Sequence, residues 1–457
     1  MIVSFSVSNF LSFSSEETLS LVASNRLSGS HDEHAVPIPD SKERVLRAAV
    51  LYGANGAGKS NLFKALSYVE SVALNPRGKT KGTSRRPFRF AEAQGGLSTF
   101  DLQFIAAGVL YRYGFKVDDD RIAEEWLYQV VGNRQRLLYE RTTNNDGKVA
   151  VDASGLKDPG GKVLALATVG GPHNQSFLAT VNATLDESEF GAELGQVLSF
   201  FKGSLKLIGP DAPFMALGRL LDLDREFLAF AGAYLKSAST GVDHLEVSKK
   251  EISKDDLGRL LPDRVVSEVV GDLAKDQNAT PIWLLSDEGP EILVERKDGD
   301  HFYLIDVQAA HEHEAGKAVR LELAEESDGT RRLLNLIPAL LNQQTPRVYV
   351  IDEIDRSLHP MIVKEFLEFF LKSRGCGSCQ IIVTTHESNL LDQDLLRRDE
   401  IWFAEKDQTA ATRLYSLLDF KVRNDRDIRK GYLQGRFGAV PFLSGLGRLL
   451  PRTEQLE

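Results

Sequence analysis

The chain has 457 residues, 42% of them hydrophobic and 26% charged, which suits one large domain with insertions or two to three ordinary ones. A formal net charge of −10 excludes bulk electrostatic attraction to nucleic acid and leaves only a local basic patch for that purpose. No apolar run reaches the about 20 residues of a membrane-spanning helix, and MIVSFSVSNF at the start has neither the basic region nor the long apolar stretch of a secretory leader. Two cysteines in such a length fit a reducing compartment, so the cytoplasm is expected.

In chain order, the first histidine-rich run is HDEH, His31 to His34. It and HEHE (His311 to Glu314) both read as polar loop or edge-strand segments; no matching ligand cluster points either one to a metal. Arg47 to Tyr52 is a short apolar run, the pattern of a buried parallel strand. It leads into Gly53-Ala-Asn55-Gly56-Ala-Gly58-Lys59-Ser60, a complete G-x-x-x-x-G-K-S. Behind it, Leu62, Phe63, Leu66, Val69 and Val72 recur at helical spacing. Strand, glycine loop and helix form a Walker A phosphate loop, and each part has a physical task. The glycines let backbone N–H groups curl around phosphate oxygens. Lys59 offers a positive charge to the β- and γ-phosphates of ATP, and Ser60 a hydroxyl to Mg²⁺. Asn55 and Asn61 belong to the same nucleotide-binding set.

Arg77 to Phe90 (RGKTKGTSRRPFRF) is the most basic stretch and reads as a loop able to touch nucleic-acid phosphates, or as a solvated loop near a subunit interface. A strand follows at Leu97 to Ile105. A mostly helical segment occupies the middle: PFMALGRLLDLDREFLAFAGAYLK has apolar residues at three and four spacing, and SKKEISKDDLGRLLPDRVVSEVV mixes acid and base as a solvated helix does. It lacks sustained heptads, so a compact lid is expected there instead of a coiled coil.

Ser327-Asp-Gly329-Thr then opens a leucine-rich helix that Pro338 interrupts. A helix N-terminus attracts anions through its unpaired N–H groups and dipole; the same residues also suit an ordinary N-cap. Arg347 to Asp355 (RVYVIDEID) is an apolar strand ending in carboxylates, the Walker B pattern: Asp352 to hold Mg²⁺ and Glu353 to polarise the attacking water. Cys376 and Cys379 form a C-x-x-C with no second pair, read as a tight turn before the next strand. That strand, Gln380 to Thr384, runs into His386, placed where a γ-phosphate sensor would stand. Two further strands are expected at Glu400 to Glu405 and Thr412 to Leu417.

The order Lys59, Ser327 and Gly329, Asp352 and Glu353, Ser357-Leu-His-Pro360, His386 resembles the ABC-type ATPase heads of SMC and RecF proteins. The runs VSNFLSFSSEETLSLVAS, VLYRYGFKVDDDRIAEEWLY, EESDGTRRLL, IDEIDRSLHP, TTHESNLLD, LLRRDEIWFAEKD, LYSLLDF and KGYLQGRFGAVP look like the abortive-infection AAA/ABC-type ATPases of the AbiL and RloA kind. The resemblance covers nearly the whole chain and is weakest from about 152 to 311. It implies an α/β P-loop NTPase fold: an ABC-type head with a β-rich N-terminal subdomain and a helical insertion. The expected division is 1–150 (lobe with Walker A), 151–315 (helical insertion) and 316–457 (lobe with signature, Walker B and His386). It also implies a homodimer or higher homo-oligomer in which Ser327 and the N–H of Gly329 complete the ATP site of the other subunit. The role implied is that of a sensor in defence against phage, acting through a nuclease or TOPRIM-like effector encoded nearby. After His386 about 70 residues remain, fewer than the roughly 100 of a TOPRIM domain, so any nuclease is expected to be a partner. Ser-Asp-Gly-Thr differs from the Ser-Gly-Gly-Gln of transporters, which speaks against transport. The rival readings are a RecF/SMC-like repair ATPase that binds DNA directly and a non-hydrolysing scaffold, the latter opposed by Glu353. Gln94 and Gln103 both stand where a Q-loop glutamine is expected.

Overall fold

The computed structural model describes residues 1–78, 81–90, 96–211, 217–261, 264–267, 282–284, 291–296, 300–312, 318–341, 345–372, 379–421 and 427–440. They form two compact units, one of Met1–Pro210, Gln343–Ile354 and Leu371–Glu457, the other of Asp211–Asn342 and Asp355–Phe370. These borders differ from three consecutive segments because the chain leaves the first unit and twice returns to it. The strand Val348–Ile351 pairs in parallel with Leu205–Ile208 on one side and Gln380–Thr384 on the other. Walker B therefore lies in the first unit and the Ser327 helix in the second.

The first unit holds a seven-stranded antiparallel sheet and a six-stranded, mostly parallel one. The antiparallel sheet runs in the order Val149–Asp152, Arg134–Thr143, Ile122–Val131, Val109–Val117, Ser98–Ala106, Ile2–Ser8, Glu17–Ser20. Its strands alternate between buried and partly exposed residues, as half-covered antiparallel strands do; Ser98–Ala106 is buried at every second position. The other sheet runs Leu205–Ile208, Val348–Ile351, Gln380–Thr384, Ala48–Tyr52, Ile401–Lys406, Thr412–Ser416, and only its last pair is antiparallel. Its central strands are buried at every residue, which is why they read as unbroken apolar runs. Gln380 joins the two sheets: its amide accepts from Ile2 N (2.7 Å) and donates to the carbonyls of Ile2 (2.9 Å) and Leu46 (2.7 Å).

The helix Lys59–Leu74 packs through Leu62, Leu66, Val69 and Val72 into a core shared by both sheets. Burial of each such side chain contributes about 1.5–3 kcal/mol. Tyr68 stacks on Phe10, with ring centres 5.2 Å apart. The helix's last carbonyls are satisfied from a second helix, Phe177–Thr184: the Ser176 hydroxyl donates to Val72 O (2.6 Å) and the Asn182 amide to Leu74 O (3.0 Å). That second helix is held at its own start by the buried Glu125 carboxylate, which accepts from Phe177 N (2.7 Å) and the Tyr139 hydroxyl (2.7 Å).

Glu70, on the P-loop helix, carries a pH signature. Burial raises its carboxyl from 4.5 to about 6, against the pull of Lys206. The folded state therefore holds this proton more tightly than the unfolded chain. Its contribution to stability is complete below pH 4.5 and lost as pH rises through about 6. Glu70→Gln is expected to melt higher than wild type at pH 8 and equally at pH 4. Thermal unfolding at both values checks this, and an equal Tm at pH 8 would refute it.

The second unit begins with helices Leu217–Leu223 and Arg225–Ser237 and then turns to strand. Its sheet runs His244–Ile252, Asp300–Glu312, Glu291–Arg296, Ile282–Leu284, with Ala318–Glu322 also paired to Asp300–Glu312. The segment 151–315 is thus helical only in its first part, and SKKEI, expected in a helix, lies in the strand His244–Ile252. That strand is mostly exposed, so its charged residues face water on a sheet as they would on a helix. His311, at the end of the strand Asp300–Glu312, pairs with Val319; its Nε2 lies 2.6 Å from the buried Glu326 carboxylate. His313 and Glu314 lie outside the described residues. Among the described residues no helix is long and apolar enough to cross a membrane.

Candidate nucleotide site

Strand register brings the motifs of the first unit together. Val383 pairs with both Ile351 and Val50, so the three parallel strands end side by side, and the residues that follow leave the sheet along one edge. Open parallel sheets bind ligands at the carboxyl ends of their strands. The phosphate loop leaves one strand, Asp352 and Glu353 the next but one, and His386 the strand between them.

In the loop, Gly53, Gly58 and Lys59 are buried, Asn55 and Gly56 exposed, and Ser60 and Asn61 half-buried. Lys59 Nζ donates to the carbonyls of Gly53 (2.8 Å) and Ala54 (3.3 Å), and lies 3.0 Å from Nε2 of His386. This contact brings the expected sensor histidine to the phosphate-loop lysine. Gly58 caps the helix at φ 110°, where a side chain is strained, and a Cβ there would collide with the Thr412 hydroxyl.

Three residues support this edge without belonging to any motif. Thr412 Oγ1 donates to Ala57 O (2.8 Å) and lies 2.7 Å from Ser12 Oγ, which accepts from the Asn61 amide (2.8 Å). Thr384 does the same for Walker B: its hydroxyl donates to Asp352 Oδ1 (2.6 Å) and accepts from Glu353 N (2.8 Å). Asp352 is buried, whereas Glu353 is partly open to solvent and has φ 50°. Left-handed backbone in a residue with a β-carbon costs about 1–3 kcal/mol and concentrates at functional sites. Thr384→Val removes both hydrogen bonds and leaves two polar groups short of a partner, a loss of about 1–3 kcal/mol. The expected result is a large fall in turnover with a smaller change in nucleotide affinity, read by comparing kcat with Kd. Unchanged kcat would show that Thr384 does not position Walker B.

The donors at this edge fit a magnesium nucleotide. The Ser60 hydroxyl and Asp352 carboxylate are hard oxygen ligands of the kind Mg²⁺ takes, and Lys59 is a point charge of the kind phosphates take.

In the second unit, Ser327 caps the helix Asp328–Leu336, its hydroxyl accepting from Thr330 N (3.1 Å). The helix breaks before Pro338, which opens a separate turn to Leu341. Ser327 is exposed and Gly329 half-exposed. A Cβ on Gly329 would come within 2.7 Å of Ser357 O, so glycine lets the Ser357 turn pack against the signature. The cap accounts for Ser327 locally and leaves its outer face open to solvent.

Gln103 lies inside the strand Ser98–Ala106, opposite Ser4 and Arg112, and Gln94 lies outside the described residues. Cys376 also lies outside them, whereas Cys379 is buried, its thiol 3.5 Å from Thr345 O. The described residues of the basic stretch, 77–78 and 81–90, run as a strap. Tyr68 donates to Thr83 O (2.9 Å), Leu11 N to Arg86 O (2.7 Å), and Arg85 Nε pairs with Asp119 (2.8 Å). The side chains of Arg86, Arg89 and Phe90 remain exposed.

The family model described as "AAA domain, putative AbiEii toxin, Type IV TA system" matches residues 48–392, from the phosphate-loop strand to beyond His386. The chain belongs to this family. The AbiEii-related AAA family is one of ATPases, in keeping with the edge just described and with the abortive-infection resemblance of its motifs. Among solved structures, the SMC head domain from Thermotoga maritima aligns over 91% of this chain and 98% of its own length, at 12% identity and a TM-score of 0.35. No curated protein matches.

Proposed function

We propose that this AAA-family chain binds and hydrolyses ATP with Mg²⁺ and serves as the sensor or switch subunit of a bacterial anti-phage system, acting through a partner effector. The observation that carries the reading is the convergence of Lys59, Asp352, Glu353 and His386 at the carboxyl edge of one parallel sheet in a chain of AbiEii-related type. Lys59 and the N–H groups of Gly56 to Ser60 hold the phosphates. Ser60 and Asp352 would hold Mg²⁺, which when bound neutralises charge on the phosphate oxygens. Glu353 orients water and takes its proton, while His386 contacts the γ-phosphate. Ser327 and Gly329, open to solvent on the second unit, complete the site of a second copy, so the working form is a homodimer or higher homo-oligomer.

Two experiments test the reading. The purified chain should hydrolyse ATP with Mg²⁺ and cut neither DNA nor RNA. Expression with its neighbouring effector gene should arrest growth on phage infection, whereas the chain alone should not. Nuclease activity lost on changing the chain's own carboxylates, or full protection by the chain alone, would overturn it. A second reading, direct DNA binding of the RecF/SMC kind, is favoured by exposed Arg86 and Arg89. It requires ATP turnover stimulated by DNA in the isolated chain and reduced by changing both arginines to alanine.

A further inference from the structure

Ahead of the phosphate loop in sequence, His31 heads a short 3₁₀ turn, Asp32–His34. One ligand atom from each of His31, Glu33 and His34 lies within 4.8 Å of the other two. Glu33 Oε1 is 3.4 Å from Nδ1 of His31 and 3.7 Å from Nε2 of His34. In a tetrahedral zinc site with bonds of about 2.0–2.1 Å, neighbouring ligand atoms are about 3.3–3.4 Å apart. Two edges of the cluster are therefore close to those of a coordination tetrahedron.

The opposite nitrogens determine what faces inward. His31 Nε2 lies 2.9 Å from the Gln393 carbonyl, which can only accept, so this nitrogen carries the hydrogen. His34 Nδ1 lies 3.1 and 3.2 Å from the two carboxyl oxygens of Glu400, a buried group that also accepts from Arg397 N (2.7 Å). In neutral imidazoles with these tautomers, the lone pair of His31 Nδ1 faces the Glu33 carboxylate, and Nε2 of His34 lies 3.7 Å from it on a ring stacked at 23° against the first. Three acceptors with no hydrogen among them repel one another unless a cation lies between them. Imidazoles that ligate metals characteristically donate their other N–H to a carboxylate or a carbonyl, and both partners are present here.

We propose that His31, Glu33 and His34 form a site for a borderline divalent cation of the Zn²⁺ class. Two imidazole nitrogens and one carboxylate suit zinc better than calcium or magnesium, which prefer all-oxygen shells. The Glu33 side chain is 64% exposed, so the fourth position opens to solvent and takes water or a ligand atom from a partner. Glu400 and Gln393 are positioning residues that orient the rings.

The test uses the full chain, stripped with a chelator and titrated with Zn²⁺ by equilibrium dialysis and with Co²⁺ by its visible ligand-field spectrum. Glu33→Gln is the informative variant because its side chain is exposed, whereas loss of buried His34 could unfold the turn. Wild type should take up one equivalent that Glu33→Gln does not, and Zn²⁺ should raise the Tm of wild type alone. Glu400→Gln should weaken the site by about 10–100-fold, as loss of an outer partner does, and Glu33→Gln by more. The ATP turnover of Glu33→Gln should match wild type, and this keeps the result separate from the nucleotide site, whose Asp352 and His386 also attract cations. Equal uptake by wild type and Glu33→Gln would overturn the proposal. So would no uptake by wild type at 100-micromolar metal, which would mean that a proton holds Glu33 to the histidines.

Discussion

Glu353→Gln is expected to bind ATP as wild type does and to turn it over about 10²-fold more slowly or worse, the usual loss on removing a general base. The amide has the same shape as the carboxylate and cannot take a proton. The backbone hydrogen bond from Glu353 N to Thr384 does not depend on the side chain, so the turn should persist. Lys59→Ala is the complementary change. It removes a buried ammonium that bonds to two loop carbonyls and would meet the phosphates, so both binding and turnover should be lost. Phosphate release and nucleotide binding, measured on the same preparations, separate the two effects. Equal turnover by wild type and Glu353→Gln would remove Glu353 from the chemistry.

Ser327→Arg should retain one ATP per chain and fail to hydrolyse it. Ser327 lies in a different compact unit from Lys59, and its exposed helix start is proposed to meet the nucleotide of a second copy. The decisive measurement mixes Ser327→Arg with Lys59→Ala chains. In a head-to-head pair, one site then takes an intact phosphate loop from the first chain and an intact signature from the second, and the other site carries both lesions. ATPase activity should reappear on mixing, at a fraction of the wild-type rate. Ser327→Ala, which keeps the surface small, guards against an arginine that props the heads apart. A tethered dimer with one wild-type site and one Lys59→Ala site shows whether a single intact site can fire. Activity in the tethered dimer with none in the mixtures would place Ser327 at its own chain's site and refute the shared arrangement.

The phosphate loop, Walker B and the flanking strands are legible because their chemistry is local. A buried parallel strand is a short apolar run, and the groups proposed to meet phosphate follow it within a few residues. Their supports are not legible in this way. Ser12 and Thr412 bond across 400 positions, and each is an ordinary hydroxyl in its own neighbourhood. The HDEH turn reads as polar loop for the same reason: what makes its histidines directional is Gln393 and Glu400, far downstream. The sheet of the second unit was hidden by exposure. With most of His244–Ile252 in water, few apolar residues mark its two-residue period, and SKKEI reads as part of a solvated helix. The two-unit division escapes a linear reading because a strand inserted between others leaves no mark at the point where the chain crosses over.

With Glu353 as the proposed general base, its left-handed backbone sets stability and catalysis against each other. Glycine, or to a lesser degree asparagine, would adopt the same turn with less strain, so a library sorted only for heat resistance should enrich them at position 353 and drift toward tightly folded, inert protein. A library sorted for turnover should keep the glutamate and tolerate losses elsewhere. How often each residue survives under the two regimes would give the strength of selection that holds a carboxylate in a conformation its own backbone resists.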